Sequence, residues 1–411
     1  MSETKREVRA GFIPLVDCAP LVIAAEHGFA EAEGLDLKLS RETSWATIRD
    51  KLAVSHFDAA HILAPMPIAA NLGLGPLPTP MLVPMALGTG ANTVTVSNAL
   101  WQELIRHLDR IDFSAAPAVT ALASVVRDRG RQGAPPLQLG IVHPHSAHHY
   151  ELAYWLSSGG IVAGQDVELV VVPPSLMPAA LANAHIDGFC AGEPWGTVAS
   201  SERVGVILTT NAHIWRNSPE KVLGLRLDWA QRDPQGVEAL VRAVYSAAVW
   251  CDQPGNQDEL AAILAREAYL GQSVDVIRPC LARRLRAGDG ALHPIDGFLN
   301  FASNTATFPW ISHALWFYTQ MVRLGQTLHS EAALHAARST YRPDIYRSAL
   351  QPLDVELPSV NTKVEGALHG KAPAGSTRGN LSLGPDAFFD GKVFDPDRLE
   401  DYLASLPDTS S

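Results

Sequence analysis

The fold is decided by residues 8–63, which read VRAGFIPLVDCAPLVIAAEHGFAEAEGLDLKLSRETSWATIRDKLAVSHFDAAHIL. Runs rich in apolar and β-branched residues alternate there with longer stretches of helical periodicity. The predicted elements are strands at residues 8–13, 35–39 and 59–63 and helices at residues 19–33 and 45–55. Strands that alternate with helices are typical of parallel βαβ units, whose ligands bind beyond the carboxyl ends of the strands.

Two lobes are expected from the length of 411 residues, because a single hydrophobic core stops growing near about 250–300 residues. An internal echo supports this expectation. Residues 56–67, HFDAAHILAPMP, and residues 185–195, HIDGFCAGEPW, share the order of His, Asp, small and apolar residues, and Pro. The sequence therefore predicts an α/β fold with two lobes around one ligand cleft.

The division of the chain follows from these elements. Downstream strands are predicted at residues 137–142 and 167–172, and helices at residues 147–158, 234–251, 257–270 and 310–324. The predicted segments are residues 1–92 for the first part of lobe I, 93–192 for lobe II, 193–350 for the return to lobe I with the C-terminal helices, and 351–411 for a C-terminal extension. The extension is rich in Pro, Gly, Ser and Asp and reads as a wrap with little core of its own.

Composition excludes several classes of function. The net charge of −11 disfavours general nucleic-acid binding, which needs a basic face. The least polar stretch, residues 59–91, is broken by Pro and Gly and predicts no membrane span. The four cysteines are scattered without a CxxC pair, so they read as buried thiols rather than as disulfides or a zinc site. No nucleophile elbow, HExxH, P-loop or GxGxxG motif occurs, and we expect neither an enzyme nor a cofactor.

The N-terminal residues predict a cytoplasmic location. After Met1 the chain is charged, and its first apolar run, Ala10–Val16, is broken by Pro14 and followed by Asp17. A secretory signal needs an uninterrupted apolar core of about 7–15 residues and a small-residue cleavage site. We therefore expect a receptor that stays inside the cell.

Trp45 is the first candidate ligand-binding residue. It opens a predicted helix, with Ser44 or Thr43 as the N-cap. Free backbone N–H groups at a helix start, together with an indole N–H, would form an anion-binding corner. The alternative is a core tryptophan that covers the helix start.

The histidines His143, His145, His148 and His149 crowd the turn before another predicted helix, with Ser146 as its N-cap. Anion binding, transition-metal binding and a structural or solvated role are all open. The spacing HxHxxHH places the rings on no fixed face, which favours an anion donor over a metal site.

Two further residues stand out less. Lys221 follows a Pro-Glu pair and by itself would be a surface lysine, and Glu193, in the loop GEPW, reads as a hinge or cleft group.

Seven ordered segments resemble the nitrate-binding (NrtA/CmpA-like) solute receptors of ABC transporters. They are residues 11–52, 56–67, 149–161 (HYELAYWLSSGGI), 171–181 (VVPPSLMPAAL), 186–195 (IDGFCAGEPW), 214–229 (IWRNSPEKVLGLRLDW) and 308–325 (FPWISHALWFYTQMVRLG). Within that family, the chain resembles the NasS-type cytoplasmic nitrate/nitrite sensors, because we expect no export signal. The resemblance implies a type II periplasmic-binding-protein fold with a hinge of two crossings.

The resemblance also implies the ligand-binding residues. The anion would be bound by Trp45, Asn92, His148 and Lys221, with His145 or His149 as substitutes for His148. Related bicarbonate receptors have an acid in the place of Lys221, with calcium helping to bind the anion. A lysine there favours direct binding of a monoanion, with no metal.

The partner is likewise implied by the resemblance. A NasS-type sensor binds a NasT-type ANTAR antiterminator, an RNA-binding protein, and releases it when nitrate or nitrite binds, so that nitrate-assimilation genes are expressed. Such a sensor itself contacts neither nucleic acid nor membrane. The alternatives are the soluble binding component of a nitrate, sulfonate or bicarbonate ABC importer, and an enzyme on the same fold, which only the histidine cluster would support.

Overall fold

The computed structural model describes residues 5–77 and 79–406. The ends of the first and last predicted segments, residues 1–4 and 407–411, lie outside the described residues. In chain order the strands are β1 (Arg6–Phe12), β2 (Leu35–Arg41), β3 (Ala59–Leu63), β4 (Met81–Ala86), β5 (Thr89–Gly90), β6 (Asn92–Ser97), β7 (Leu137–Ile141), β8 (Val167–Val171), β9 (Gly188–Gly192), β10 (Gly205–Thr210), β11 (Lys221–Arg226), β12 (Arg284–Arg286), β13 (Leu292–Pro294), β14 (Leu299–Asn300), β15 (Ala372–Pro373) and β16 (Ser382–Leu383).

The α-helices surround these strands. In chain order they are α1 (Ala19–Glu26), α2 (Phe29–Ala32), α3 (Trp45–Ala53), α4 (Pro65–Asn71), α5 (Asn98–Leu104), α6 (Ala115–Arg131), α7 (Ala147–Ser158), α8 (Met177–Ala182), α9 (Trp195–Ser201), α10 (Asn211–Ile214), α11 (Leu227–Arg232), α12 (Pro234–Cys251), α13 (Gln257–Leu264), α14 (Val274–Leu281), α15 (Ile311–Arg323), α16 (Glu331–Thr340), α17 (Pro343–Leu350) and α18 (Leu399–Ser405).

Two five-stranded sheets form the centres of two lobes. The sheet of lobe I has the order β2-β1-β3-β11-β4, and the sheet of lobe II has the order β10-β6-β9-β7-β8. In lobe I, β1 is parallel to β2 and β3, whereas β11 is antiparallel to β3 and β4. In lobe II, β7 is parallel to β8 and β9, whereas β6 is antiparallel to β9 and β10. The two sheets therefore share one pattern, and β3 and β9, which carry the sequence echo, occupy equivalent places.

The chain crosses between the lobes twice. The first crossing runs from β4 through β5 into β6 at Asn92, and the second runs from α10 into β11 at Lys221. The crossings are joined, because the backbone N–H of Gly90 donates to the carbonyl of Ser218 at 2.9 Å. Gly90 has a φ of +78°, and a side chain there would collide with the carbonyl oxygen of Phe298. Only glycine satisfies both conditions at this hinge.

The return to lobe I lies later in the chain than the predicted residue 193. β9 ends at Gly192, but the next strand, β10, pairs with β6 and so belongs to the sheet of lobe II. The chain rejoins the first sheet only at Lys221, where β11 pairs with β3. The local sequence does not indicate that β10 belongs to lobe II, because its pairing partner, β6, lies far earlier in the chain.

The predicted helices agree with the structure in most places. α7 and α12 have the predicted bounds, and Ser146 caps α7 by accepting a hydrogen bond from the N–H of His149 at 3.2 Å. The predicted helix at residues 19–33 is instead the pair α1 and α2, because Gly28 adopts a left-handed φ of +72° between them. None of the described helices is both long and apolar enough to cross a bilayer. The cysteines are free and buried, as predicted.

Residues 351–406 wrap over both lobes and add side chains to the core. Phe388 stacks on Trp215, with ring centroids 4.6 Å apart. The hydroxyl of Tyr154, on α7 of lobe II, donates to the carboxylate of Asp390 at 2.8 Å. The wrap thus contributes buried aromatic contacts that its Pro-rich and Gly-rich composition does not indicate.

Candidate functional site

Lys221 is a buried cation at the junction of the lobes. It begins β11, and its side chain is 1% exposed. Its Nζ donates to Asp17 Oδ2 at 3.0 Å and to Glu220 Oε1 at 2.5 Å. Burial alone would lower the pKa of Lys221, but the two carboxylates raise it above its usual value. The reading of Lys221 as a surface lysine is therefore wrong.

Asp17 and His61 form a dyad beside this ammonium group within lobe I. Asp17 lies in the turn between β1 and α1, and His61 projects from β3, with Nε2 at 2.9 Å from Asp17 Oδ1. Burial alone would raise the pKa of Asp17, but Lys221 and His61 lower it to about 2. Burial lowers the pKa of His61, so the neutral ring donates Nε2–H to the carboxylate and leaves Nδ1 without a partner.

A second dyad, His148 with Glu220, joins the two lobes. His148 lies on α7 of lobe II, and its Nδ1 is 2.9 Å from Oε1 of Glu220, the residue before β11 of lobe I. Burial alone would raise the pKa of Glu220, but Lys221 and His148 lower it below its usual value. His148 Nε2 and Glu220 Oε2 are buried and have no hydrogen-bond partner. We call Asp17, His61, His148, Glu220 and Lys221 the Lys221 cluster.

Trp45 lies directly against the Lys221 cluster. Ser44 caps its helix, α3, by accepting from the backbone N–H of Thr47 at 3.2 Å, as predicted. The centroid of the indole ring is 5.5 Å from Lys221 Nζ and 5.5 Å from the centroid of the His61 ring. The side chain is buried, yet its Nε1–H has no acceptor among the described residues. Trp45 thus closes the helix start and also offers a free donor.

Asn92 begins β6 at the first crossing and is fully buried. Its Oδ1 is 3.3 Å from the place that a Cβ of Gly192 would occupy, and a Leu15 methyl group is equally close to that place. Leu15 belongs to the turn that carries Asp17. Both polar atoms of the Asn92 side chain lack partners among the described residues, and no hydrogen bond joins it to the Lys221 cluster there. Asn92 is therefore a lone amide near this turn.

The proposed substitutes for His148 have other partners. His149 Nδ1 donates to the carbonyl of Pro144 at 2.7 Å, and burial lowers its pKa to about 4. His145 Nδ1 lies 3.1 Å from Gln326 Oε1. His145 also lines a cavity of about 270 Å³, together with His143 and apolar side chains, and no residue of the Lys221 cluster lines this cavity. The rings do not converge on one point, and only His148 meets the Lys221 cluster.

Sequence reasoning did not single out Asp17, His61 and Glu220 as site residues. Asp17 follows the first strand, where ligand-binding turns of α/β sheets lie, and this position was a usable signal. His61 gave none, because an isolated histidine in an apolar strand is usually a core residue. Glu151 was also passed over. It accepts from Asn211 and is buried, and burial together with Glu220 raises its pKa well above the usual range, so its carboxyl group is neutral.

The unpartnered atoms define what this site can do. The indole N–H of Trp45 and two imidazole rings lie around one ammonium group, which uses two of its three N–H donors on carboxylates. A buried polar atom without a partner costs about 1–3 kcal/mol. Several such atoms at one junction are typical of a binding site for a small polar ligand, and an anion fits the donors best.

Two α/β lobes that meet at a buried polar cluster define a two-lobed binding protein. The chain belongs to the NMT1-like family, whose model matches residues 2–265. It is 33% identical over 408 residues to the nitrate/nitrite binding protein NrtA of Synechococcus elongatus, which covers 97% of this chain and 86% of that protein. It is 29% identical over 416 residues to the bicarbonate-binding protein CmpA of Synechococcus sp., with coverages of 98% and 86%.

A solved structure agrees with this assignment. The crystal structure of the periplasmic nitrate-binding protein NrtA from Synechocystis PCC 6803 superimposes with a TM-score of 0.84 at 30% identity. The match covers 98% of this chain and 99% of that one. The predicted fold class, two α/β lobes of the periplasmic-binding-protein type, is therefore confirmed. The names of these relatives describe binding.

Proposed function

We propose that this protein is a receptor for nitrate or nitrite and that the Lys221 cluster, Trp45 and Asn92 form its binding site. The observation that carries this proposal is the unpartnered indole N–H of Trp45 beside the buried ammonium group of Lys221. Nitrate is a planar, weakly basic monoanion that accepts hydrogen bonds and donates none. Such a ligand is matched by N–H donors that converge on it. The similarity to proteins named for nitrate binding supports the same ligand.

The position of the site supports a closing motion. Lys221, Glu220 and Trp45 come from lobe I, whereas His148 comes from lobe II. The Glu220–His148 hydrogen bond is therefore broken when the lobes separate. A ligand that contacts both lobes shifts the protein towards the closed form by its differential affinity for the two forms.

Calorimetric titration with nitrate, nitrite, bicarbonate and sulfate tests the ligand, with thermal melts beside it. We expect nitrate or nitrite to stabilise the fold by about 2.7 kcal/mol at a hundredfold excess over the dissociation constant. Sulfate, and bicarbonate added without calcium, should each have little effect on the stability of the fold. Melts that millimolar nitrate and nitrite leave unmoved, and that bicarbonate with calcium raises, would show a different receptor.

For the output of the receptor we propose, on the resemblance to NasS-type sensors, a role in the cytoplasm. The ligand-free protein would bind a NasT-type antiterminator and release it when nitrate or nitrite closes the cleft. Linkage requires that the antiterminator weaken nitrate binding by the same factor by which nitrate weakens the complex. This reciprocity makes the proposal measurable from either side.

A nitrate importer is the second candidate, and the similarity to a periplasmic nitrate-binding protein favours it. The two roles differ in one experiment. Pull-down of a NasT-type antiterminator should be strong without nitrate and weak with it for a sensor. Equal capture under both conditions, or none under either, favours the binding component of an importer.

A further inference from the structure

The charge balance of the Lys221 cluster is unfavourable for an anion. Asp17 and Glu220 each contribute a negative charge, and Lys221 contributes the positive charge between them. His61 is neutral because burial lowers its pKa, and Glu151 is neutral because burial raises its pKa. The site thus carries a net negative charge before any ligand enters. A monoanion would place a second negative charge in the same buried space.

The tautomer of His148 presents the same problem. Its Nδ1–H donates to the Glu220 carboxylate at 2.9 Å, and this hydrogen bond fixes the proton on Nδ1. When the ring carries no second proton, its buried and unpartnered Nε2 presents a lone pair. An anion next to Nε2 would meet this lone pair instead of a donor. A second proton on the ring converts Nε2 into an N–H donor.

We propose that the site takes its monoanion together with one proton, which His148 binds at Nε2 while Glu220 accepts the hydrogen bond from Nδ1. The proton comes from solvent, and no bond to the anion forms or breaks. With this proton the imidazolium and the Lys221 ammonium balance the two carboxylates, and the site with its bound anion carries one net negative charge instead of two. Glu220 becomes the residue that determines how affinity depends on pH. This inference rests on the proposed function of anion binding.

Charged and ionisable groups from several elements face this dyad. Lys221 on β11 and Asp17 in the turn after β1 both keep their charges. Asp17 raises the pKa of Lys221, and Lys221 lowers the pKa of Asp17. His61, on β3, repeats the arrangement of His148 with its own carboxylate partner, Asp17. His61 and its partner both belong to lobe I, whereas His148 bonds across the two lobes, so we place the proton on His148.

The remaining neighbours are neutral. Burial raises the pKa of Glu151 on α7, of Cys190 on β9 and of Tyr341 after α16, so they keep their protons at neutral pH. Burial lowers the pKa of His143 to about 3 and that of His149 to about 4, so they carry none. These neighbours supply neither the missing positive charge nor the proton.

Proton counting by calorimetry tests the proposal on the full chain. Nitrate is titrated in pairs of amine buffers that have different ionisation enthalpies and that both buffer at the pH used, across pH 6 to about 8.5, a range that brackets histidine titration. The dependence of the observed heat on the buffer gives the number of protons taken up. We expect this number to approach one where the dissociation constant changes most steeply, with affinity falling up to tenfold per pH unit.

Two glutamate variants localise the effect. Glu220→Gln removes a negative charge and keeps the shape, so proton uptake should fall towards zero and affinity should no longer fall with pH. Glu365→Gln is the matched control, because Glu365 is also buried and paired with a lysine and a histidine, far along the chain. It should take up the wild-type number of protons.

The outcomes separate the two proposals. Wild-type protein that binds nitrate with no buffer-dependent heat, and with the same affinity at every pH, overturns the proton-coupled mechanism but not the receptor. A Glu220→Gln variant that binds nitrate with unchanged proton uptake also overturns it. If nitrate and nitrite give neither heat nor a melting shift at any pH, the receptor function itself has failed.

Discussion

Two lysines of this molecule, the buried Lys221 and the partly buried Lys363, have nearly the same surroundings, yet only Lys221 is placed to bind a ligand. Each ammonium group lies between two carboxylates, with a histidine and a tryptophan close by. Around Lys221 these residues are Asp17, Glu220, His148 and Trp45. Around Lys363, in what we call the Lys363 cluster, they are Glu365, Asp386, His313 and Trp310.

The clusters differ in how their hydrogen bonds are satisfied. Glu365 also accepts from Ser312 Oγ at 2.6 Å, and Asp386 accepts from a backbone N–H at 2.9 Å. Trp310 Nε1 donates to Thr305 Oγ1 at 3.3 Å. Among the described residues, the Lys363 cluster has no buried polar side-chain atom without a partner, whereas the Lys221 cluster has several. Unsatisfied polar atoms, and not the buried ion pair itself, mark the binding site.

Replacing each lysine by methionine should break the comparison most strongly. Removal of one partner from a buried ion cluster costs about 3–5 kcal/mol, so Lys221→Met and Lys363→Met should both be destabilised in urea unfolding. Only Lys221→Met should also lose nitrate affinity, by more than about a hundredfold. The attraction between the ammonium group and an anion 4 Å away is worth about 4 kcal/mol at an effective dielectric constant of about 20. Folded Lys221→Met protein with wild-type affinity would contradict the assignment.

Acid unfolding should show where the clusters are alike. The pKa of Asp17 and that of Glu365 are both lowered to about 2, against the raising effect of burial, by the cations beside them. A lowered carboxylate pKa stabilises the fold above the unfolded-state pKa, and this stabilisation disappears as the pH falls through the folded-state value. Asp17→Asn should remove about 2 kcal/mol and Glu365→Gln about 3 kcal/mol of pH-dependent stability between about pH 5 and 2.

The measurement is the free energy of unfolding against pH for the wild type and both variants. Each variant should show a flatter acid limb than the wild type. An unchanged slope in either variant would mean that its carboxylate is not ionised between its cationic partners.

The two neighbouring histidines sharpen the comparison within lobe II. His148→Asn removes the ring nitrogen that faces the ligand, and loss of a hydrogen bond to a charged group should weaken nitrate binding by roughly 10–100-fold. His149→Asn removes a hydrogen bond to a backbone carbonyl and should cost about 1 kcal/mol of stability without changing affinity. Titration of both variants with nitrate decides between them, and the reverse result would place the ligand beside His149.

The tryptophans provide the smallest expected effect. Trp45→Phe keeps an aromatic ring near Lys221 but removes the unpartnered Nε1–H, so nitrate affinity should fall by about tenfold. Trp310→Phe removes a donor that is already bonded to Thr305 and should leave the affinity unchanged. Equal affinities in both variants would show that Trp45 only covers the helix start.

Much of the fold follows from the sequence because its signals are local. α7 has a serine cap at Ser146 and ends at Gly159, and the structure gives it the predicted bounds. The return to lobe I could not be predicted, because β10 pairs with β6 across a long sequence separation. The break at Gly28 was also missed, since a left-handed glycine and an ordinary helix stop look alike in sequence.

The site was accessible in part. Trp45, His148 and Lys221 were reached through the resemblance of ordered segments, and the structure brings them together. Asp17 and His61 were not, because a buried ion pair depends on which strands approach each other. That Trp45, His148 and Lys221 bind an anion stays a prediction, as does the role of Asn92.

A crystal structure of the protein grown with nitrate tests the central claim most directly. We expect one planar anion at the junction of the lobes, with oxygens at hydrogen-bond distance, about 3 Å, from Trp45 Nε1, His148 Nε2 and Lys221 Nζ. The Lys363 cluster should contain no anion in the same crystal. Nitrate found only elsewhere, such as the cavity lined by His143 and His145, with the Lys221 cluster unchanged, would contradict the assignment.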